Sequence, residues 1–392
     1  FYGDFDSARE QYLSAFGEST DFGLKAGALW GLGRTELADG NFQTALERFS
    51  QLTTEYPEST YSARAPFLIG RAYEGLGQFV QAADAYNNYI TRIPGVLDAY
   101  VQEYRGDALS EADDYAGALT AYNSALTASR LDDGLDLQIK IAATRASFGD
   151  YAGALVLYDQ IFVTTTNDYV KAQMDYFAGN AHISLGQNEE AYARYLNAVN
   201  NYPLSYYAYL SLVALVDAGV PVDELNRGLV DYYANQYDVA LVAFDKYIAE
   251  NPTNDGTAHY FRGSTLRELQ RTEDAIAEFD YFIANYGAHS RWVDAWEDKA
   301  FLQWAVLDDF DAAAQTLLTL VSSVPDSPFA ATALMDAARI QERAGKLAEA
   351  SQTWERVANE YASSEDVPNA LFLAGVSRYR LQDYAGALTV FQ

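Results

Sequence analysis

The chain has 392 residues, 55 Asp and Glu against 26 Lys and Arg, a formal net charge of −29, and 49% hydrophobic residues. That acidity argues against nucleic acid and anionic membrane surfaces, which need basic patches, and favours solubility and basic or cationic partners. With no cysteine there is neither a disulfide framework nor a thiolate metal site, and no apolar run reaches the length of a membrane span.

Along the chain, Phe1 to Phe16 reads as the second helix of a pair whose first is missing, and Gly23 to Leu37 as the next first helix, carrying Trp30. Leu32 to Pro57 holds Gly33, Gly40, Phe42, Ala45, Phe49 and Pro57, a spacing that recurs down the chain. With Ala45 as index, the equivalents are Ala8, Ala82, Ala118, Ala154, Ala191, Ala240, Ala275, Ala313, Ala350 and Ala387. Such a period marks stacked repeats. Four residues after the index comes a large side chain, as at Tyr12, Phe49, Tyr86, Tyr122, Tyr158, Tyr195, Phe244, Phe279, Leu317, Trp354 and Phe391. That spacing shares one helical face.

Twelve residues before the index the site is small, as at Gly33, Gly70, Gly106, Ala142, Gly179, Gly228, Gly263, Ala338 and Gly375, with Phe301 the departure. Small residues at these two positions let two helix backbones approach closely. The large residue is expected to fill the gap toward the next repeat. Gly40, Gly77, Gly149, Gly186 and Gly345 stand where the first helix must end in a left-handed residue. Asn41, Asp150 and Gln187 are then placed to begin the second helix. Pro57, Pro94, Pro203, Pro252 and Pro325 close it.

The regular beat breaks between Ala191 and Ala240. Ser205 to Asp217 reads as one additional helix, ended by Gly219, with Pro221 restarting the chain and Asp223 capping the next helix. Its face carries Tyr206, Tyr207 and Tyr209. Further on, Trp292 and Trp296 stand four apart on one face and read as core. Asp113-Asp114 and Asp308-Asp309 mark turns and helix starts.

The pattern resembles the tetratricopeptide repeat: Leu32-Gly33 in the first helix, the turn glycine, Phe42 and Ala45 opening the second, and the closing proline. The resemblance covers essentially the whole chain. It implies an all-α, right-handed superhelical solenoid of about eleven antiparallel helix pairs, with one extra helix near 205–217. The expected organisation is repeats over 1–203, an inserted helix and turn over 204–222, and repeats over 223–392, in one continuous solenoid. A weaker resemblance, over Tyr202 to Tyr207, is to the helical domain of soluble lytic transglycosylases. It implies a catalytic module beyond Gln392, and no catalytic residue carries over.

His182, His259 and His289 fall in different copies and are not expected to converge on a metal. No phosphate loop, dinucleotide fingerprint or nucleophile elbow is present. No enzyme, cofactor, catalytic residue or metal site is expected. The leading expectation is a non-enzymatic interaction scaffold holding a protein or peptide partner in a concave groove. Tyr73, Tyr100, Tyr104, Tyr176, Tyr232, Tyr260 and Tyr379 on first helices, with Tyr206, Tyr207 and Tyr209 on the extra helix, are its candidate residues. The alternatives are an accessory domain of an enzyme acting on peptidoglycan, and a subunit that self-associates head to tail into an extracellular fibre through uncapped ends. The absence of Cys, the scarcity of Lys and 31 Tyr point to an extracytoplasmic bacterial protein. The sequon-like Asn251-Pro252-Thr253 is blocked by its proline.

Overall fold

Each first helix stops at the residue five before the index alanine, because there the backbone turns left-handed. A computed structural model describes residues 3–95 and 97–392. In it, Gly3, Gly40, Gly77, Gly149, Gly186 and Gly345 occupy this position with φ between 68° and 87°. In five other copies the position is filled by Asp113, Asn235, Gln270, Asp308 and Gln382, with φ between 54° and 65°. One N–H later, the chain bonds back to the residue nine before the index, as Asn41 N to Glu36 O at 2.8 Å and Gln236 N to Asp231 O at 2.8 Å. This bond satisfies a carbonyl the helix end would otherwise leave bare.

Among the described residues there are 22 α-helices and no strand. Contacts divide the chain into two compact units, Phe1–Ala198 and Val199–Gln392. The first unit holds α1 (Phe5–Glu18), α2 (Phe22–Ala38), α3 (Phe42–Glu55), α4 (Thr60–Gly75) and α5 (Phe79–Arg92). It continues with α6 (Asp98–Glu111), α7 (Tyr115–Thr127), α8 (Leu135–Ser147), α9 (Tyr151–Thr164) and α10 (Asp168–Ser184). The boundary falls inside α11 (Asn188–Asn201). The second unit has α12 (Tyr206–Asp217), α13 (Glu224–Tyr233), α14 (Tyr237–Glu250), α15 (Thr257–Glu268), α16 (Thr272–Asn285) and α17 (Trp292–Phe301). After a π-helical turn at Leu302–Val306 come α18 (Phe310–Ser323), α19 (Ala330–Arg343), α20 (Leu347–Glu360), α21 (Val367–Arg380) and α22 (Tyr384–Phe391). In both units consecutive helices pack on one another in series, so the fold is an all-α solenoid of helix pairs.

The index alanines Ala45, Ala82, Ala118, Ala154, Ala191, Ala240, Ala275, Ala313 and Ala350 are fully buried. The large residue four later reaches the first helix of the next pair, as its spacing suggests: Tyr86 stacks on Tyr104 at 5.8 Å, Tyr158 meets Phe177 at 5.8 Å and Phe244 stacks on Phe261 at 6.3 Å. Where the small residue of its own pair is glycine, it also lies over that glycine. A Cβ on Gly33, Gly70 or Gly228 would stand 2.5 Å from the ring of Phe49, Tyr86 or Phe244. A ring seated on bare backbone buries more of its face than a side chain beneath it would allow, and full burial of such a ring stabilises by about 1.5–3 kcal/mol.

Phe301 departs from the pattern because the π-helical turn inserts a residue. Asp309 N bonds to Gln303 O at 2.8 Å, one residue further back than in the other pairs. The small residue facing Leu317 is therefore Ala300, which is buried, while Phe301 is turned out and 47% exposed.

Second helices begin on aspartate where one is available. Asp114, Asp150 and Asp383 accept from the N–H of Gly117, Gly153 and Gly386 at 2.9, 3.0 and 2.9 Å. Asp309 accepts from Ala312 at 3.0 Å. Asn41 does not cap: its amide donates to Glu36 and Asp39, both at 3.0 Å. Gln187 is engaged with His182 Nδ1 at 2.7 Å.

The inserted helix forms where the sequence places it. Ser205 Oγ caps α12 by accepting from Tyr207 N at 3.2 Å, Gly219 ends it with φ 69°, and Asp223 Oδ1 accepts from Asn226 N at 3.1 Å. Trp296 is buried and meets Trp292 edge-on at 5.7 Å, as core residues.

Candidate interaction site

The tyrosines singled out from the sequence divide by burial. Tyr260 is buried, donating to Asp298 at 3.1 Å, and burial raises its phenol well above the usual range. Tyr104 stacks on Tyr86 at 5.8 Å, and Tyr232 meets Phe261 edge-on at 5.3 Å, so both belong to the core between helices. Tyr73 packs half-buried in the same cluster as Tyr86 and Tyr104. Tyr100 is half-buried, accepts from Leu131 N at 3.0 Å, and lies 5.2 Å from the Arg130 guanidinium. Tyr176 is half-buried against Phe177 and Tyr195. Tyr379 is exposed and meets Tyr384 edge-on at 5.2 Å. Tyr206 is exposed beside the half-buried Tyr207 and Tyr209.

Tyr209 opens onto a cleft that the insertion creates. Ala208, Ser211, Leu212 and Leu215 of α12 are buried, as the inward stripe of a short amphipathic helix. Val213 and Val216 are turned outward and are 39% and 45% exposed. Across from them stand Arg227 and Asp231 of α13, then Gln236 and Val239 at the start of α14. The cleft holds about 170 Å³ and is also lined by Tyr209, Leu212 and Asp217. Val242, one turn beyond Val239, is exposed and extends the apolar rim.

Asp231 is 5% exposed, and no hydrogen bond reaches its Oδ2. Arg227 Nε, one turn earlier, is 3.8 Å away and is itself without a hydrogen bond. That separation is too long for a hydrogen bond. Burial pushes the Asp231 carboxyl up to about 6; Arg227 lowers it and Glu224 raises it further. Other buried carboxylates are matched. Asp175 accepts from Asn197 at 2.6 Å and Arg194 at 3.3 Å. Glu278 accepts from Arg262 and pairs with His259 Nδ1 at 2.6 Å. His259 and His289 each pack on a ring of the stacked Phe282–Tyr286 pair, His259 at 5.4 Å from Tyr286 and His289 at 5.1 Å from Phe282. Among the described residues no group of three or more His, Asp or Glu could hold a metal ion.

A second apolar cleft lies between α1 and α2, lined by small residues, Ala8, Gly27 and Gly31, and by Tyr12, Trp30 and Tyr61. Of the residues lining the first cleft, sequence reading singled out Tyr209 and did not single out Asp231. The one available signal for it is an aspartate among apolar neighbours in Gly228-Leu229-Val230-Asp231.

Serial helix pairs, each closed by a left-handed residue and locked by a large side chain on a small residue, define a helical-repeat scaffold. The chain belongs to the tetratricopeptide-repeat family, whose profile matches residues 3–60, 31–96, 67–136, 225–289 and 306–365. A TPR repeat-containing protein of Methanocaldococcus jannaschii is 21% identical over 344 residues, 83% of this chain. The match spans 56% of that relative's length. Among solved structures, the C-terminal part of a TPR protein from Cytophaga hutchinsonii is 16% identical with TM-score 0.39, covering 68% of this chain and 98% of that one. The MamA protein is 16% identical with TM-score 0.38, covering 45% and 90%. Likenesses at this level carry no argument about partners. Among the described residues no helix is long and apolar enough to cross a membrane.

Proposed function

We propose that the chain is a non-enzymatic scaffold that holds a protein partner, with the α12–α14 cleft as one of its contact surfaces. The observation that supports this most is the apolar rim of Val213, Val216, Val239 and Val242, exposed together on a chain of net charge −29. Exposed apolar residues gathered round a concave site mark interaction surfaces, whereas scattered ones do not. The exposed Tyr379 on α21 is a second contact point in the same reading. Export from the cytoplasm belongs to this proposal and is supported by composition alone. The peptidoglycan alternative has only Tyr202 to Tyr207 behind it, and the middle of that stretch serves to cap α12. Self-association has a more specific support in the α1–α2 cleft, whose glycines and alanines would admit a helix at close range; a mass that grows with concentration in sedimentation would bear it out.

A photo-crosslinking residue placed at Val216, at Tyr379, or as a control at the exposed Val80 of α5 tests the scaffold reading in the native host. Crosslinks from Val216 and Tyr379 to a protein partner, with none from Val80, are expected. No partner from either position, or equal capture by all three, would overturn it.

A further inference from the structure

The register of the repeat shows what Asp231 lacks. Nine residues before the index, the first pair of the chain carries Glu36 where a later one carries Asp231. Glu36 is also buried, but Arg9 on the preceding second helix, α1, donates to it from Nε and from Nη2, both at 3.0 Å. At Asp231 the helix packed before α13 is the inserted α12. From Tyr195 to Asn226 the sequence has no Lys or Arg. The insertion therefore supplies apolar walls and takes away the cation. Arg227 on α13 itself does not replace it, since its Nε stands 3.8 Å off. A buried carboxylate left in this way is costly unless something pairs with it.

We propose that the α12–α14 cleft is a socket for one arginine side chain of a protein partner, whose guanidinium takes up at Asp231 the place that Arg9 holds at Glu36. The aliphatic stem would lie along Tyr209, Leu212, Val213 and Val216, and the head would reach Oδ2. The volume of about 170 Å³ suits one long side chain. Guanidinium pairs with a carboxylate in two parallel bonds and is more weakly hydrated than an ammonium, so it suits a buried, apolar-walled acid better. Asp217 at the rim adds attraction for the same charge. This inference rests on the scaffold reading and names the chemistry of one of its contacts.

The test is fluorescence anisotropy with two labelled peptides, acetyl-Leu-Arg-Leu-amide and the same peptide with citrulline, which keeps the shape and loses the charge. At 0.15 M salt, general attraction to the acidic surface is screened beyond about 8 Å. The arginine peptide should bind at least tenfold more tightly than the citrulline peptide. Asp231→Asn, which changes the net charge by a single unit, should bring the two level. Val216→Phe, which fills the cleft without changing charge, should weaken the arginine peptide at least tenfold; melting curves establish that both variants are folded. Equal affinity of the two peptides for the unaltered chain, no binding of either, or an arginine preference that survives Asp231→Asn would overturn the socket. If a few ordered waters are the natural occupant, neither peptide binds, and that too overturns it. Crosslinks from Tyr379 to a partner that persist after such a result would leave the scaffold reading standing while the socket fails.

Discussion

The ring of Phe49 rests on the backbone of Gly33, so closely that a Cβ there would stand 2.5 Å from Cε1. The ring is fully buried and cannot swing aside. The same relation joins Gly70 to Tyr86 and Gly228 to Phe244, and in these pairs it ties the first helix to the second.

Gly33→Ala should therefore destabilise. Overpacking a full site costs about 1–3 kcal/mol, while replacing a helical glycine by alanine returns about 1 kcal/mol. Gly27→Ala on the same helix is the control, because its Cβ would meet Tyr61 at an ordinary 3.5 Å. Denaturant midpoints should separate the two variants by about 1–3 kcal/mol, with Gly27→Ala neutral or more stable than the parent. Equal midpoints would remove the ring-on-glycine account.

The left-handed turn position makes the opposite kind of prediction. Gln270 and Gln382 have φ of 60° and 65° there, a conformation that costs a side chain about 1–2 kcal/mol. Glycine escapes that cost but loses more entropy on folding. Gln270→Gly and Gln382→Gly should each gain about 0.5–1 kcal/mol, and being far apart in sequence and in different pairs they should add. Gly40→Ala, at φ 80°, should lose a similar amount. Thermal unfolding of the four chains checks the set.

Most of this scaffold can be read from the chain because its demands are local in spacing. Two helices that touch at Ala45 and Gly33 need small residues there, and the need returns with every pair. The π-helical turn is not readable in this way, since one extra residue in Leu302–Val306 leaves no mark beyond a bulky Phe301 at a small site. Asn41 misled for a different reason: its amide is taken up by Glu36, a partner set by the packing of α1 on α2. The extra helix was legible from Ser205, Gly219 and Asp223, but the cleft was not. The isolation of Asp231 depends on what packs beside it, and no spacing rule contains that.

Asp231 gives a pH dependence with a definite sign. Its carboxyl is pushed up to about 6 in the folded chain from an ordinary 3.8, so the folded state binds the proton more tightly. Its contribution favours folding most below the unfolded value and is lost as pH rises through about 6, leaving a penalty at neutral pH. A rise of that size corresponds to about 3 kcal/mol. Arg227 and Glu224 on its own helix, and Asp217 across the cleft, are the charges that bear on it. Asp231→Asn should raise stability at pH 7.5 by about 1–3 kcal/mol and leave it unchanged at pH 4. Urea midpoints of parent and variant should converge as pH falls from 7 to 4; parallel curves would mean that Asp231 is paired after all.

Ala300 and Phe301 offer a direct test of the phase set by the π-helical turn. If the twelve-residue spacing held in this pair, Phe301 would sit beneath Leu317, and shortening it would open a cavity costing about 3–5 kcal/mol. Instead Ala300 is buried there, while Phe301 is half exposed and leans edge-on against Trp304 at 5.8 Å. Phe301→Ser should cost less than about 1 kcal/mol, the worth of one exposed aromatic contact. Ala300→Leu should cost about 1–3 kcal/mol by crowding Leu317. Denaturant midpoints rank the two substitutions, and the reverse ranking would put the extra residue on the other side of Phe301.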